Sequence, residues 1–227
     1  METNLRVQAA SIISFLKELR ITAKLPKGIE VLDPYSDPKV LDLCSQFYYK
    51  YYDDTRPRTL LLGINPGRFG SGTTGVSFTD PIKLEKYCGI KNDLAKKPEL
   101  SADFIYAMID AYGGPKAFYS KYFVSAVSPL GFTFKGKNIN YYDVPALEKA
   151  VTPFIVSSIN KMIAMGVSNE RCYCIGGDKN LKFLSKINNE HEWFKEIIPL
   201  PHPRFIMQYR RKKLNEYIDF YLTTLSS

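Results

Sequence analysis

Apolar residues follow two rhythms along this chain. In LRVQAASIISFLKELR they recur at the three- and four-residue spacing of one helix face, which predicts an amphipathic helix over Leu5–Arg20. Elsewhere they gather into short, nearly continuous runs: Arg58–Ile64, Tyr122–Val127, Cys172–Ile175 and Ile197–Leu200. Runs of that length predict strands buried on both faces. Helical patterns lie among them, at Lys39–Tyr52 (with Leu41, Leu43, Phe47 and Tyr51 among its apolar positions), Ser101–Tyr112, Val144–Met165, Lys179–Ile187 and Met207–Leu225. Gly113-Gly114-Pro115 closes the second of these, and the Pro/Gly/Asp-rich stretch Pro26–Pro38 reads as a connection.

Short strands alternating with helices predict an α/β fold, a three-layer α/β/α arrangement with a short, mostly parallel central sheet. The expected organisation is one domain over residues 1–227, with 1–56 as an N-terminal helical extension packed on it. Sites in such sheets form at the carboxyl ends of the strands. That rule brings three stretches to one edge: Asn65 onward, Ser125–Leu130, and His202 onward.

Composition narrows the picture. The chain has 227 residues, 45% of them hydrophobic, and sixteen tyrosines, enough for a sizeable core. No apolar run approaches the ~18 residues that span a bilayer, and the charges scattered through the first helix argue against a signal peptide. A cytoplasmic, non-secreted protein is expected, without a membrane partner. Four cysteines without CxxC spacing and two histidines, His191 and His202, predict neither a zinc site nor a disulfide scaffold; no cofactor is implied. The net charge of +8 favours a polyanionic partner such as nucleic acid.

The chemistry concentrates in two segments. GINPGRFGSGTTGVSF, Gly63–Phe78, carries neither a dinucleotide fingerprint nor a Walker A loop. It leaves a strand with the carboxamide of Asn65, stiffens at Pro66, and spends four glycines before Phe78. Such a backbone suits close approach to a ligand, although a plain glycine-rich connection ending on a buried Phe accounts for it equally well. PLPHPRFIMQYRRKK, Pro199–Lys213, sets His202 between two prolines and interleaves Arg204, Arg210, Arg211, Lys212 and Lys213 with Phe205, Ile206 and Met207. Cations at a helix start suit phosphates, and bulky apolar groups among them suit insertion into a base stack. A solvated basic helix with its apolar side in the core is the plainer alternative.

Together these segments resemble the two motifs of the uracil-DNA glycosylase superfamily. The resemblance is closest to the single-strand-selective monofunctional uracil-DNA glycosylases, whose first motif reads GMNPGPFG…TGVPFG. Asn65, Gly67, Phe69, Gly70, Thr74, Gly75, Val76 and Phe78 match it without a gap, and HPR at His202–Arg204 matches the second motif. YFVSAVSPLGF, Tyr122–Phe132, resembles the family's middle strand. The likeness runs from about Leu60 onward.

The resemblance implies a uracil-DNA glycosylase-like fold and a monofunctional enzyme of base excision repair. Such an enzyme flips a deaminated base from single- or double-stranded DNA and hydrolyses its N-glycosidic bond, acting as a monomer (nucleoid-associated in a prokaryote). It implies Asn65 as the group that orients water and His202 as the donor to the leaving base. Ile64, Gly67, Phe69, Phe78, Ser125 and Ala126 would form the base pocket, with Phe78 as stacking platform. Arg68, Arg204, Phe205, Ile206, Arg210, Arg211 and Lys212 would meet DNA, the wedge coming from Arg204–Met207. No lysine stands at the Asn65 position to form a Schiff base, so strand cleavage is not expected.

The chain departs from the family at one point. Where the middle strand usually reads FVHN, this one has Phe123, Val124, Ser125 and Ala126. Ala126 cannot pair with a pyrimidine edge, so base reading must fall elsewhere, and excision of hypoxanthine or xanthine beside uracil is expected. A non-catalytic nucleic-acid-binding protein on the same scaffold is the alternative, and the presence of both Asn65 and His202 argues against it. An enzyme of free nucleosides would have no use for an apolar basic wedge.

Overall fold

A computed structural model describes residues 9–226. Helix α1 (Ala9–Glu18) and strand β1 (Ile29–Leu32) lead through a 3-10 turn into helix α2 (Pro38–Tyr52). Strand β2 (Thr59–Gly63) opens into the glycine-rich segment, which carries the one-turn helix α3 (Ser71–Thr74). Helices α4 (Pro81–Lys86), α5 (Leu100–Ala111) and α6 (Pro115–Tyr119) follow. Strands β3 (Tyr122–Ala126), β4 (Gly131–Phe134) and β5 (Lys137–Ile139) precede the long helix α7 (Pro145–Ala164). Then come β6 (Arg171–Ile175), α8 (Asp178–His191), β7 (Glu196–Leu200), α9 (Pro203–Tyr209) and α10 (Leu214–Ser226).

The central sheet is parallel throughout, in the order β3-β2-β6-β7. Leu60, Leu61 and Leu62 on successive positions of β2 are all fully buried, so both faces of the sheet are covered. This is the three-layer α/β/α arrangement that the short apolar runs predict. Register puts Gly63 opposite Ala126 and Ile175 opposite Leu200, so the strands end along one edge.

Local chemistry accounts for the helix starts. Asp37 accepts the Lys39 N–H at 2.9 Å ahead of Pro38, and Asp80 accepts the Lys83 N–H at 2.8 Å ahead of Pro81. In each case a capping carboxylate precedes a proline that fits the first helical position. Arg58, just before β2, is buried. Its guanidinium donates to the carbonyls of Tyr119 and Tyr51 at 2.8 and 3.0 Å, pairs with Asp54 at 3.0 Å, and stacks over Tyr52.

Three expectations change. Part of the Pro26–Pro38 connection is strand β1, which joins β4 and β5 in a second, antiparallel sheet of order β1-β4-β5. Its strands of four and three residues are too short to carry a periodic signal, yet Lys135-Gly136 at the hairpin tip, with φ of +49° and +70°, is the turn a two-residue hairpin requires. The expected helix Met207–Leu225 is two helices, α9 and α10, broken at Arg210 (φ −132°, ψ 18°) with a 3-10 turn over Arg211–Lys213. The first helix is observed from Ala9; its expected start at Leu5 lies outside the described residues.

Candidate active site

The glycine-rich loop folds over the carboxyl end of β2. The ring of Phe78 lies directly on Gly63: a methyl group there would come within 2.8 Å of Phe78 Cζ. Phe78 itself adopts φ +51°, a conformation few non-glycine residues take, held because the buried Thr74 hydroxyl bonds the Thr79 carbonyl (2.6 Å) and the Val76 N–H (3.1 Å). The spare residues between strand and Phe78 thus build a rigid arch that lays an aromatic face on the strand end.

Asn65 is fixed at the foot of the arch. Its Oδ1 accepts the Tyr141 N–H at 3.0 Å, and its Nδ2 donates to the carbonyls of Ile139 and Pro66, both at 3.3 Å. Three backbone contacts settle the orientation of the amide and leave one Oδ1 lone pair unused.

His202 caps α9. Its Nδ1 accepts the Arg204 N–H at 3.1 Å, with Pro203 at the first helical position. A nitrogen that accepts carries no proton, so the neutral ring bears its hydrogen on Nε2. Burial, reinforced by the Arg204 charge, lowers the imidazole to about 4. At neutral pH His202 is therefore an uncharged donor. Its ring centre stands 6.4 Å from that of Phe78.

Asn65, Phe78 and His202 share the wall of one cavity of about 400 Å³. Ile64, Gly67, Ser125, Ala126, Arg204 and Phe205 line it as well. Ser125 and Ala126 both reach it because β3 ends there. The Ser125 hydroxyl makes no hydrogen bond among the described residues and lies on the cavity wall. Asn138, Asn140, Tyr142, Gln208, Tyr209 and Glu99 also contribute, none of them singled out by the sequence. Glu99 stands at the start of α5, where Asp80 accepts its backbone N–H at 3.0 Å. Asn138 arrives on β5 and Asn140 just after it. No short motif signals either arrangement.

Two sequence-derived assignments are corrected by position. Phe69 is outside the cavity: the turn from Gly67 to Gly70 throws its ring outward, 40% exposed, with Arg68 and Lys97 stacked on it at 5.1 and 5.2 Å. Ile206 and Met207 face the core, Ile206 with no exposure at all, because α9 turns them inward. The apolar side chains that α9 presents to solvent are Phe205 and Tyr209, 42% and 66% exposed, with the Arg210 guanidinium 5.4 Å from the Phe205 ring. Arg204, Arg210, Arg211 and Lys212 are exposed, and Arg68 is half-buried with its Nε unbonded. Among the described residues no cluster of three or more His, Cys, Asp or Glu side chains could hold a metal, and all four cysteines are buried and unpaired.

A similar fold exists in a solved structure. The crystal structure of wild-type SMUG2 from Pedobacter heparinus superposes with a TM-score of 0.94 at 45% identity, covering 96% of either chain. No curated protein matches. The family model described as the uracil DNA glycosylase superfamily matches residues 49–226, from the end of α2 through α10, and takes in every side chain named around this cavity. The chain belongs to the uracil DNA glycosylase superfamily.

Proposed function

We propose that the protein is a monofunctional DNA glycosylase that flips uracil out of DNA and hydrolyses its N-glycosidic bond, leaving an abasic site. The observation that carries this reading is the neutral, Nε2-protonated His202 on the same cavity wall as a fixed Asn65 and the face of Phe78. As the bond to C1′ breaks, the sugar gains positive charge and the base leaves as an anion. A positioned N–H directed at a base carbonyl stabilises that anion, as in an oxyanion hole. Asn65 has no useful basicity. Its unused lone pair orients a water for capture of the cation without deprotonating it early. Phe78 offers the flipped base a stacking face, and Phe205 or Tyr209 on α9 supplies the wedge that fills the vacated stack.

The pocket has Ala126 where the family reads a pyrimidine edge, and the Ser125 hydroxyl beside it is free to serve either ring size. Hypoxanthine and xanthine therefore enter as well. The deciding experiment uses labelled oligonucleotides, each carrying one deaminated base, in single turnover with EDTA and then alkali. Cleavage at uracil, with slower cleavage at the two purines, is expected. No cleavage at any base would leave only a nucleic-acid-binding protein. Ala126→Asn is expected to raise the ratio of the uracil rate to the purine rates, because a misplaced carboxamide repels the larger base; an unchanged ratio would remove Ala126 from base selection.

A further inference from the structure

Glu99 has no place in the mechanism above, yet it is a wall of the same cavity. It stands at the start of α5 with its backbone N–H on Asp80, and its side chain lies against the glycine loop. A Cβ at Gly70 would overlap the Glu99 carboxyl, and one at Gly67 would stand 3.4 Å from Glu99 Oε1 and 3.3 Å from Asn138 Nδ2. Among the described residues neither carboxyl oxygen of Glu99 takes part in a hydrogen bond or an ion pair. A half-buried acid without a partner is costly, and here it lines the cavity in which the base would sit.

On the glycosylase reading, we propose that Glu99 is a catalytic and specificity-determining residue, donating a hydrogen bond as a neutral acid to the carbonyl oxygen that deamination places on the base. That oxygen is O4 of uracil and O6 of hypoxanthine or xanthine. A protonated carboxyl presents one donor and one acceptor, the same pair as the carboxamide absent at Ala126. The departing anion spreads its charge over its carbonyl oxygens, so the hydrogen bond strengthens as the glycosidic bond breaks. Ionised Glu99 would only accept, and would repel both that oxygen and the anion.

The surroundings favour the neutral form. Burial first, then the Asp80 carboxylate, push Glu99 up to about 7, with Asp103 on α5 acting the same way and Arg204 on α9 opposing. Lys83 on α4 is committed to Asp103 and Asp80, at 2.5 and 3.8 Å. Arg68 in the loop stacks on Phe69, Lys137 on β5 is exposed, and His202 is uncharged. DNA phosphates would raise Glu99 further.

The test is the single-turnover rate of uracil excision between pH 6 and 9. Wild type is expected to lose about tenfold per pH unit above a break at or beyond 7. Glu99→Gln, which keeps a donor and an acceptor but cannot ionise, is expected to hold a constant rate across the range and to exceed wild type at pH 9. Glu99→Ala, confirmed as folded by its circular dichroism and abasic-DNA binding, should be roughly a hundredfold slower at pH 6 and equally flat. A wild-type rate level to pH 9, or a Glu99→Gln profile falling in step with wild type, overturns the role of Glu99 alone. No excision by wild type at any pH overturns the glycosylase reading and this one with it.

Discussion

Two side chains in one cavity, a base and an acid, are biased toward the neutral form by the same cause. Burial lowers His202 from 6.5 to about 4 and raises Glu99 from 4.5 to about 7. Their linkage to stability has opposite signs. For His202 the stabilising contribution is fully present above 6.5 and is lost as pH falls toward 4. For Glu99 it is fully present below 4.5 and is lost as pH rises toward 7. At pH 8 the folded state thus carries an ionised, unpartnered carboxylate at a cost on the order of 3 kcal/mol. Glu99→Gln should be more stable than wild type in urea at pH 8, with the gain vanishing near pH 4; equal midpoints at both pH values would show that the carboxyl is well solvated. Asn65→Ala and His202→Ala should each lower the single-turnover rate by about 10²–10³ while abasic-DNA binding stays within a few-fold. Either variant excising at the wild-type rate would make that residue a structural one.

At the scale of elements, helix α9 decides what the second motif can do. Read as a string, PRFIMQYRRKK offers three apolar residues as wedge candidates, but seven residues of helix sort them by face. Ile206 packs without exposure and Phe205 does not. Ile206→Ala should therefore cost about 2–5 kcal/mol of stability, measured by denaturant unfolding, as a buried Ile deletion does. Phe205→Ala should leave stability within about 0.5 kcal/mol and slow excision from duplex DNA more than from single strands, where no stack needs filling. Equal losses on both substrates would move the wedge to Tyr209. The same sorting explains what was legible beforehand. Runs such as Leu60–Leu62 and Cys172–Ile175 announce themselves because a parallel strand is apolar on both faces, and the segments bearing Asn65 and His202, which the fold brings to one cavity, stand out because they resemble the family's two motifs. Glu99, Asn138 and the outward turn of Phe69 were not legible. The first stands at the start of α5 beside Asp80, a residue nineteen positions earlier in the chain, the second is delivered by a three-residue strand, and the third by the geometry of Gly67–Gly70.

Across the whole molecule, with its net charge of +8, several exposed cations lie on the segments that border the cavity. On one side stand Arg204, Arg210, Arg211 and Lys212, the last three at the corner between α9 and α10 where the chain breaks its helix and leaves them exposed. On the other, Arg68 and Lys97 flank the Phe69 ring, and the β4–β5 hairpin carries Lys135 and Lys137, with Asn138 Oδ1 tied to the Arg68 N–H at 3.2 Å. A strand of DNA lying across the mouth would meet cations before and after the flipped nucleotide, which is what compressing a backbone to extrude a base demands. Each phosphate so neutralised releases counterions, and the salt dependence of binding counts them. Arg211→Ala should weaken binding to every sequence alike and flatten the slope of log affinity against log salt by about 0.9 on duplex or about 0.7 on single strands. Glu196→Gln, on an exposed residue at the far end of β7, is the control for a bare change of one charge and should leave the slope alone. A slope that Arg211→Ala leaves unchanged would show that the helix-breaking corner faces solvent, and the DNA path would then have to follow Arg68, Lys97 and the hairpin.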